Sequence, residues 1–142
     1  MRWTEDDGGR AEAGFRGYAG DCAVRAAAIA TGQPYRAAYD AINELAKDER
    51  PRGGKKRSSA RTGVWPKTLG RYLETHGFRW APTMGIGTGC RVHLREGELP
   101  DGRLVVRLSG HYAAVIDGVL HDTYDGSRDG TRCVYGYWTD QP

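Results

Sequence analysis

The sequence HYAAVIDGVLHDTY, residues 111–124, has the pattern of a β-hairpin. Two runs rich in β-branched and apolar residues flank the Asp-Gly dipeptide at 117–118, which is a strong signal for a two-residue hairpin turn. Such a turn sets the register and places His111 and Asp122 on one face, as diagonal neighbours within side-chain reach. His121 falls on the opposite face. We therefore expect an antiparallel hairpin that carries an imidazole beside a carboxylate.

In the rest of the chain, predicted helices come first and predicted strands follow. Apolar periodicity together with Pro and Gly signals predicts helices at residues 22–32, 34–47 and 66–77. Helices followed by a run of strands indicate an α+β fold, with N-terminal helices packed on a C-terminal antiparallel sheet. Besides the hairpin, the predicted strands are FRWAPT, CRVHL, RLVVRL and CVYGYW.

Length and composition limit the organisation of the chain. With 142 residues the chain accommodates one domain, and its 21 glycines indicate many turns and short strands. Residues 1–13 are expected to be a loose acidic tail, followed by a single domain over residues 14–142. No apolar run is long enough for a membrane span, and the acidic start lacks the apolar segment of a secretory signal. The expectation is a cytoplasmic protein without a membrane partner.

The positive charge is concentrated in one segment, residues 50–61, which begins with Arg50 and ends with Arg61. This basic loop holds six basic residues and no acidic one, whereas the rest of the chain has 15 basic and 18 acidic residues. It is interpreted either as a contact for phosphate or an acidic partner, or as a solvated connection between helices. Binding of nucleic acid is the weaker interpretation, because no aromatic residues interleave the charges.

The cysteines divide into one candidate for reactivity and two structural residues. Cys22 follows Asp21, the predicted N-cap, so it lies where unpaired N–H groups and the helix dipole lower the pKa of a thiol. The alternative is a small buried residue at an ordinary helix start. Cys90 and Cys133 have no such position. Without a CxxC motif or an export signal, all three are expected as free thiols.

The hairpin face and the helix start together predict a catalytic group. If the first helix packs on the face that carries His111 and Asp122, the thiol of Cys22 meets the imidazole. Nucleophile, base and orienting acid are the arrangement that covalent acyl transfer requires. A metal site is not expected, because His111 and His121 point to opposite faces, and no cofactor is expected.

GDCAVRAAAIATG near the start and GHYAAVIDGVLHDTYD downstream resemble the papain-like cysteine peptidase superfamily. Within that superfamily the sequence pattern most resembles that of bacteriocin-leader (double-glycine) peptidases and of small papain-like proteins of phages and actinobacteria. The resemblance extends over about residues 14–138 and implies a papain-like fold. It also implies that Cys22 is the nucleophile, His111 the general base and acid, and Asp122 the orienting group.

One position departs from the pattern of that superfamily. Such peptidases commonly carry a Gln about six residues before the Cys, which donates to the oxyanion hole, whereas Arg16 stands at that offset here. The expected hole therefore combines the backbone N–H of Cys22 with Arg16 or Tyr18. Loss of one oxyanion donor costs roughly 10² to 10³ in rate.

Two functions follow from the sequence. The first is a thiol hydrolase that cleaves a peptide, isopeptide or amide bond in a peptide or protein substrate; transfer of the acyl group to an amine stays open. The alternative is a weakly active or inactive papain-like binding module that engages a protein partner. Such a module would use the basic loop or a set of aromatic residues expected to be exposed, namely Trp65, Trp80, Tyr135, Tyr137 and Trp138.

Overall fold

The computed structural model describes residues 1–142 as three helices packed on a six-stranded sheet. The elements are β1 (Trp3–Glu5), α1 (Cys22–Thr31), α2 (Tyr35–Ala46), α3 (Pro66–Glu74), β2 (Arg79–Pro82), β3 (Arg103–Leu108), β4 (His111–Ile116), β5 (Val119–Asp122) and β6 (Gly136–Thr139). The strand order is β1-β5-β4-β3-β6-β2, and every pair is antiparallel except β1 with β5. The predicted α+β class is confirmed.

The β4–β5 hairpin has the predicted register. Its turn residues have positive φ, 48° at Asp117 and 79° at Gly118, as a type I′ turn requires. Val115 lies opposite Leu120, and Ala114 lies opposite His121. The two-residue turn thus sets the pairing of the strands that carry the candidate site.

The sheet is buried on both faces. The helices cover one face, where the small side chains of α1 share a cluster with Val105, Ala114 and Trp138. On the other face Leu104, Leu120 and neighbouring apolar residues form a second cluster, which includes residues from the segment between β2 and β3 and from the segment before β6. Burial on both faces explains why β3 reads as a nearly continuous apolar run.

The N-terminal segment differs from the expected loose tail. Trp3–Glu5 forms the edge strand β1, parallel to β5. Just beyond it, the backbone N–H of Asp6 donates to the carbonyl of Asp122 at 2.9 Å. A three-residue strand has almost no sequence pattern of its own, because it depends on the sheet edge that it joins.

The two strands predicted around the remaining cysteines are also different. CRVHL contributes only an isolated bridge from His93 to Cys133, and the last strand begins at Gly136 rather than at Cys133. Cys90 and Cys133 form a disulfide, so the expectation of free thiols at these positions was wrong. Because the chain has three cysteines, one is left unpaired, and that one is Cys22. Disulfides are rare in reducing compartments such as the cytoplasm. The disulfide therefore gives no support to the cytoplasmic location, which stays a prediction.

The basic loop connects α2 to α3. Residues 50–57 are exposed and contain no helix or strand. The loop is anchored at its base by buried Glu49, which accepts hydrogen bonds from the Ser58 N–H at 2.6 Å and from the Thr68 hydroxyl. No helix of the structure has the length and apolar character to cross a membrane.

Candidate active site

Cys22 is the first residue of α1 and is half-buried. Asp21 occupies the N-cap position as predicted, but its side chain makes no capping hydrogen bond. Its buried carboxylate instead contacts Arg25, accepts from the Tyr35 hydroxyl at 2.6 Å and lies 3.5 Å from Arg10 Nε. The expected side-chain cap is therefore replaced by a buried charge network directly before the thiol.

His111 and Asp122 form a buried pair. His111 Nε2 lies 2.7 Å from Asp122 Oδ2, and the two side chains are only 9% and 4% exposed. The other carboxylate oxygen accepts the Thr123 N–H at 2.7 Å and lies 3.6 Å from Arg25 Nη2. With Nε2 held by the carboxylate, Nδ1 is the ring nitrogen left for another partner.

The thiol of Cys22 lines the same cavity as the imidazole, and each group shifts the pKa of the other. Burial opposes ionisation of Cys22. However, the hydrogen bond and charge of His111, the Tyr112 N–H and the charge of Arg25 together hold the pKa of the thiol below its ordinary value. Burial likewise disfavours the imidazolium, but hydrogen bonds and charges from Asp122 and Cys22 raise the pKa of His111 to about 9. Both shifts favour the charged forms, thiolate and imidazolium, over the neutral ones.

α1 packs on the face of the sheet opposite to the predicted one. We expected α1 to pack on the hairpin face of His111, but α1 shares its cluster with Ala114, which points to the opposite face. Ala113 and Val115, which alternate with His111, lie in the other cluster. His111 is the first residue of β4 and lies at the end of its strand ladder, where it lines the same cavity as Cys22.

The thiol and the imidazole line a cavity of about 580 Å³. Its walls include the segment before α1, residues 62–64 and residues 107–112. The ring of Tyr124 also lines it, with its centroid 5.5 Å from that of His111, although Tyr124 is about half exposed. The cavity therefore offers a substrate direct access to both groups.

The side chains of Arg16 and Tyr18 lie outside this cavity. Tyr18 is 94% exposed, and neither residue lines the cavity. Their carbonyls instead accept hydrogen bonds from Arg61 Nη2, at 3.2 Å for Arg16 and 3.0 Å for Tyr18. The backbone N–H of Cys22 makes no backbone hydrogen bond, which leaves it as the available donor at the open end of α1.

Arg25 is the main residue that the sequence analysis missed. It lies one turn into α1 and contacts both Asp21 and Asp122, so it connects the helix start to the acid of the hairpin. The i, i+4 spacing from Asp21 is a sequence signal for the first contact. No sequence signal indicates the second, because it joins elements almost a hundred residues apart.

The other candidates hold no comparable arrangement. No group of three or more His, Cys, Asp or Glu side chains is placed to hold a metal ion, and His121 Nδ1 lies 3.4 Å from Asp6 Oδ2. The aromatic residues expected to be exposed are not: Trp138 is buried and lies 4.6 Å, ring to ring, from Trp80. The other three, Trp65, Tyr135 and Tyr137, are partly buried.

Comparisons of the chain with protein-family models, with curated proteins and with solved structures found no match.

Proposed function

We propose that this protein is a thiol hydrolase that cleaves a peptide, isopeptide or amide bond through Cys22, His111 and Asp122. The observation that carries the proposal is that a helix-start thiol and an imidazole line one cavity, while Nε2 of that imidazole lies 2.7 Å from a buried carboxylate. Cys22 and His111 come from separate elements and line one accessible cavity, and Asp122 holds the ring from outside it, which is the arrangement that nucleophilic catalysis requires. The resemblance of the two motifs to papain-like peptidases supports the same roles.

In the first step the Cys22 thiolate attacks the carbonyl carbon, and the carbonyl electron pair moves to oxygen. The Cys22 N–H at the helix start donates to this oxyanion. When the tetrahedral intermediate collapses, the C–N bond breaks and the His111 imidazolium gives its proton to the leaving amine. The product is a thioester on Cys22 with a neutral His111.

In the second step His111 removes a proton from a water molecule, which attacks the thioester carbon. The C–S bond then breaks, the carboxylic acid leaves, and the thiolate–imidazolium pair is restored. An amine in place of water makes the same steps an acyl transfer. Throughout the cycle Asp122 keeps the ring oriented, with Nδ1 directed at the sulfur.

The alternative is a binding module on the same scaffold. The observation that favours it is the placement of Arg16 and Tyr18, since neither side chain reaches the cavity to donate to an oxyanion. A binding module requires no activated thiol, so the reactivity of Cys22 separates the two functions.

The test is the rate of alkylation of Cys22 by iodoacetamide at about pH 6, where an ordinary thiol is almost fully protonated. Because Cys90 and Cys133 are joined in a disulfide, the unreduced protein has one reactive thiol, and total labelling reports on Cys22. We expect labelling at least about tenfold faster than that of glutathione. His111→Ala should abolish most of the difference.

The matched control is His76→Ala, which removes an exposed imidazole with no carboxylate partner. This variant should label like the unaltered protein. Labelling of Cys22 no faster than glutathione, or unaffected by His111→Ala, would rule out the hydrolase and leave the binding module.

A further inference from the structure

Three cavities lie along the segment that leads into α3, and neighbouring cavities share lining residues. The cavity at Cys22 shares Thr62, Gly63 and Val64 with a second cavity of about 500 Å³. The second cavity shares Trp65 with a third of about 530 Å³. A bound chain that occupies the Cys22 cavity can therefore continue along residues 62–65.

The far part of this path is positively charged. Of the two acidic residues that line the third cavity, Asp48 lies 3.4 Å from Arg71, and Glu49 accepts hydrogen bonds from Ser58 and Thr68. The remaining charges are positive and exposed. We call these residues the basic patch: Arg50, Arg52, Lys55, Lys56, Arg57 and Lys67.

The basic patch is held in place relative to the path. The Trp65 N–H donates to the Ser58 hydroxyl at 2.8 Å, and the indole N–H of Trp65 donates to the carbonyl of Lys56 at 2.9 Å. The Lys55 ammonium lies over the Trp65 ring, 5.6 Å from its centroid. These contacts attach the exposed loop to the start of α3, so its charges flank the path.

Outside residues 50–61 the chain has more acidic than basic residues, 18 against 15. The attraction of an anionic ligand is therefore local to the patch rather than a property of the whole surface. Guanidinium and ammonium groups bind carboxylates directly, and Arg does so through two parallel hydrogen bonds.

We infer that the substrate of Cys22 is a peptide or protein segment with acidic side chains on one side of the scissile bond, the side that follows residues 62–65 to the basic patch. This inference rests on the proposed hydrolase and names its substrate class. An extended peptide advances about 3.3 Å per residue, so the acidic side chains lie several residues from the bond that is cut. The two cavities beyond that of Cys22 have one aromatic ring in their lining, that of Trp65, which Lys55 already covers, so this part of the path offers no series of rings for stacked bases.

The first test measures binding apart from catalysis, with the Cys22→Ala variant and two fluorescent peptides. One peptide carries a run of glutamates at one end, and the other carries glutamines at the same positions. At low salt we expect the glutamate peptide to bind roughly tenfold more tightly or better, with the difference shrinking at physiological salt. Arg52→Gln/Lys56→Gln should weaken its binding about fivefold or more. Arg2→Gln/Arg91→Gln, which removes the same charge at exposed positions off the path, should leave it unchanged.

The second test asks whether the ligand reaches Cys22. In the protein with its thiol intact, the glutamate peptide should slow iodoacetamide labelling of Cys22, and the glutamine peptide should not. Fast labelling without protection would overturn the substrate assignment while the hydrolase stands. Slow labelling in the absence of peptide would overturn the hydrolase and the substrate assignment with it. Equal binding of the two peptides, or tighter binding of a thymidine oligonucleotide, would overturn the acidic-peptide inference.

Discussion

Arg25 is the single residue that joins the two halves of the candidate site. Its guanidinium contacts Asp21, directly before the thiol, and Asp122, which holds His111, while only 13% of its side chain is exposed. Its charge also contributes to the low pKa of the Cys22 thiol. Arg25 also lines the cavity, and we expect it to position the thiol and the acid through these neighbours.

Replacement of Arg25 by methionine should leave two buried carboxylates without their shared cation. Breaking a buried ion pair in this way costs about 3 to 5 kcal/mol of folding free energy, which urea unfolding measures. In the molecules that stay folded, the pH midpoint of Cys22 alkylation should rise, because the positive charge near the sulfur is gone. Arg25→Lys keeps the charge and should recover part of that change.

The control for this prediction is Arg103→Met. Arg103 also packs against α1, where it donates to the carbonyls of Ile29 and Ala30 at 3.2 and 3.3 Å, far along the helix from Cys22. Its loss should leave the alkylation midpoint unchanged. A shift of equal size in both variants would show that Arg25 acts only on the stability of α1.

The pH dependence of Cys22 alkylation tests how Asp122 contributes to the pairing of Cys22 with His111. Alkylation follows the thiolate fraction, so its rate should reach a plateau at a lower pH than that of an ordinary thiol. Asp122→Asn removes the carboxylate that helps to raise the pKa of His111 to about 9. The ring then loses its proton at a lower pH, and the alkylation midpoint of Cys22 should rise by about one pH unit.

A pH profile of alkylation from about pH 5 to 10 checks this prediction. Asp101→Asn, at an exposed carboxylate away from the site, should reproduce the profile of the unaltered protein. An unchanged midpoint in Asp122→Asn would mean that Asp122 does not tune the imidazole.

At the scale of the elements, the hairpin was predictable and the packing of α1 was not. The Asp-Gly turn determines the pairing of β4 with β5 locally, so the contact of His111 with Asp122 follows from a few adjacent residues. The face on which α1 packs depends on the far larger number of apolar residues on both sides of the sheet. For the same reason β1 and the disulfide, which join distant segments, had no usable sequence signal.

The contact between β2 and β6 offers a prediction at this scale. A Cβ at Gly136 of β6 would lie 2.3 Å from the Trp80 ring of β2, far inside van der Waals contact. Gly136→Ala should therefore displace the indole and lower the free energy of unfolding by about 2 kcal/mol or more. Urea unfolding and tryptophan fluorescence measure the two effects.

Gly85→Ala is the matched control for Gly136→Ala. Gly85 is exposed, has no positive φ, and a Cβ there would meet only Thr88 at an ordinary 3.8 Å. It should unfold at nearly the same urea concentration as the unaltered protein. A similar loss in both variants would contradict the argument from close approach.

In the whole molecule, different parts of the chain pack on the two faces of the sheet. On one face the helices bring Cys22 to the site. On the other, the segment between β2 and β3 supplies Leu94 to the second apolar cluster and is tied to the chain before β6 by the disulfide from Cys90 to Cys133. The second face contains little regular structure, so its stability depends more on that covalent bond.

Removal of the disulfide by Cys90→Ser/Cys133→Ser should destabilise the protein without disabling the candidate site. The bond closes a loop with a sequence separation of 43 residues. Closing a loop of that size lowers the entropy of the unfolded chain enough to stabilise the fold by about 4 kcal/mol at most. We expect the free energy of unfolding, measured with urea, to fall by about 2 to 4 kcal/mol.

Under native conditions the alkylation rate of Cys22 should be unchanged, since the disulfide lies on the opposite face of the sheet. A marked fall in that rate in the folded variant would show that the two faces of the sheet are coupled.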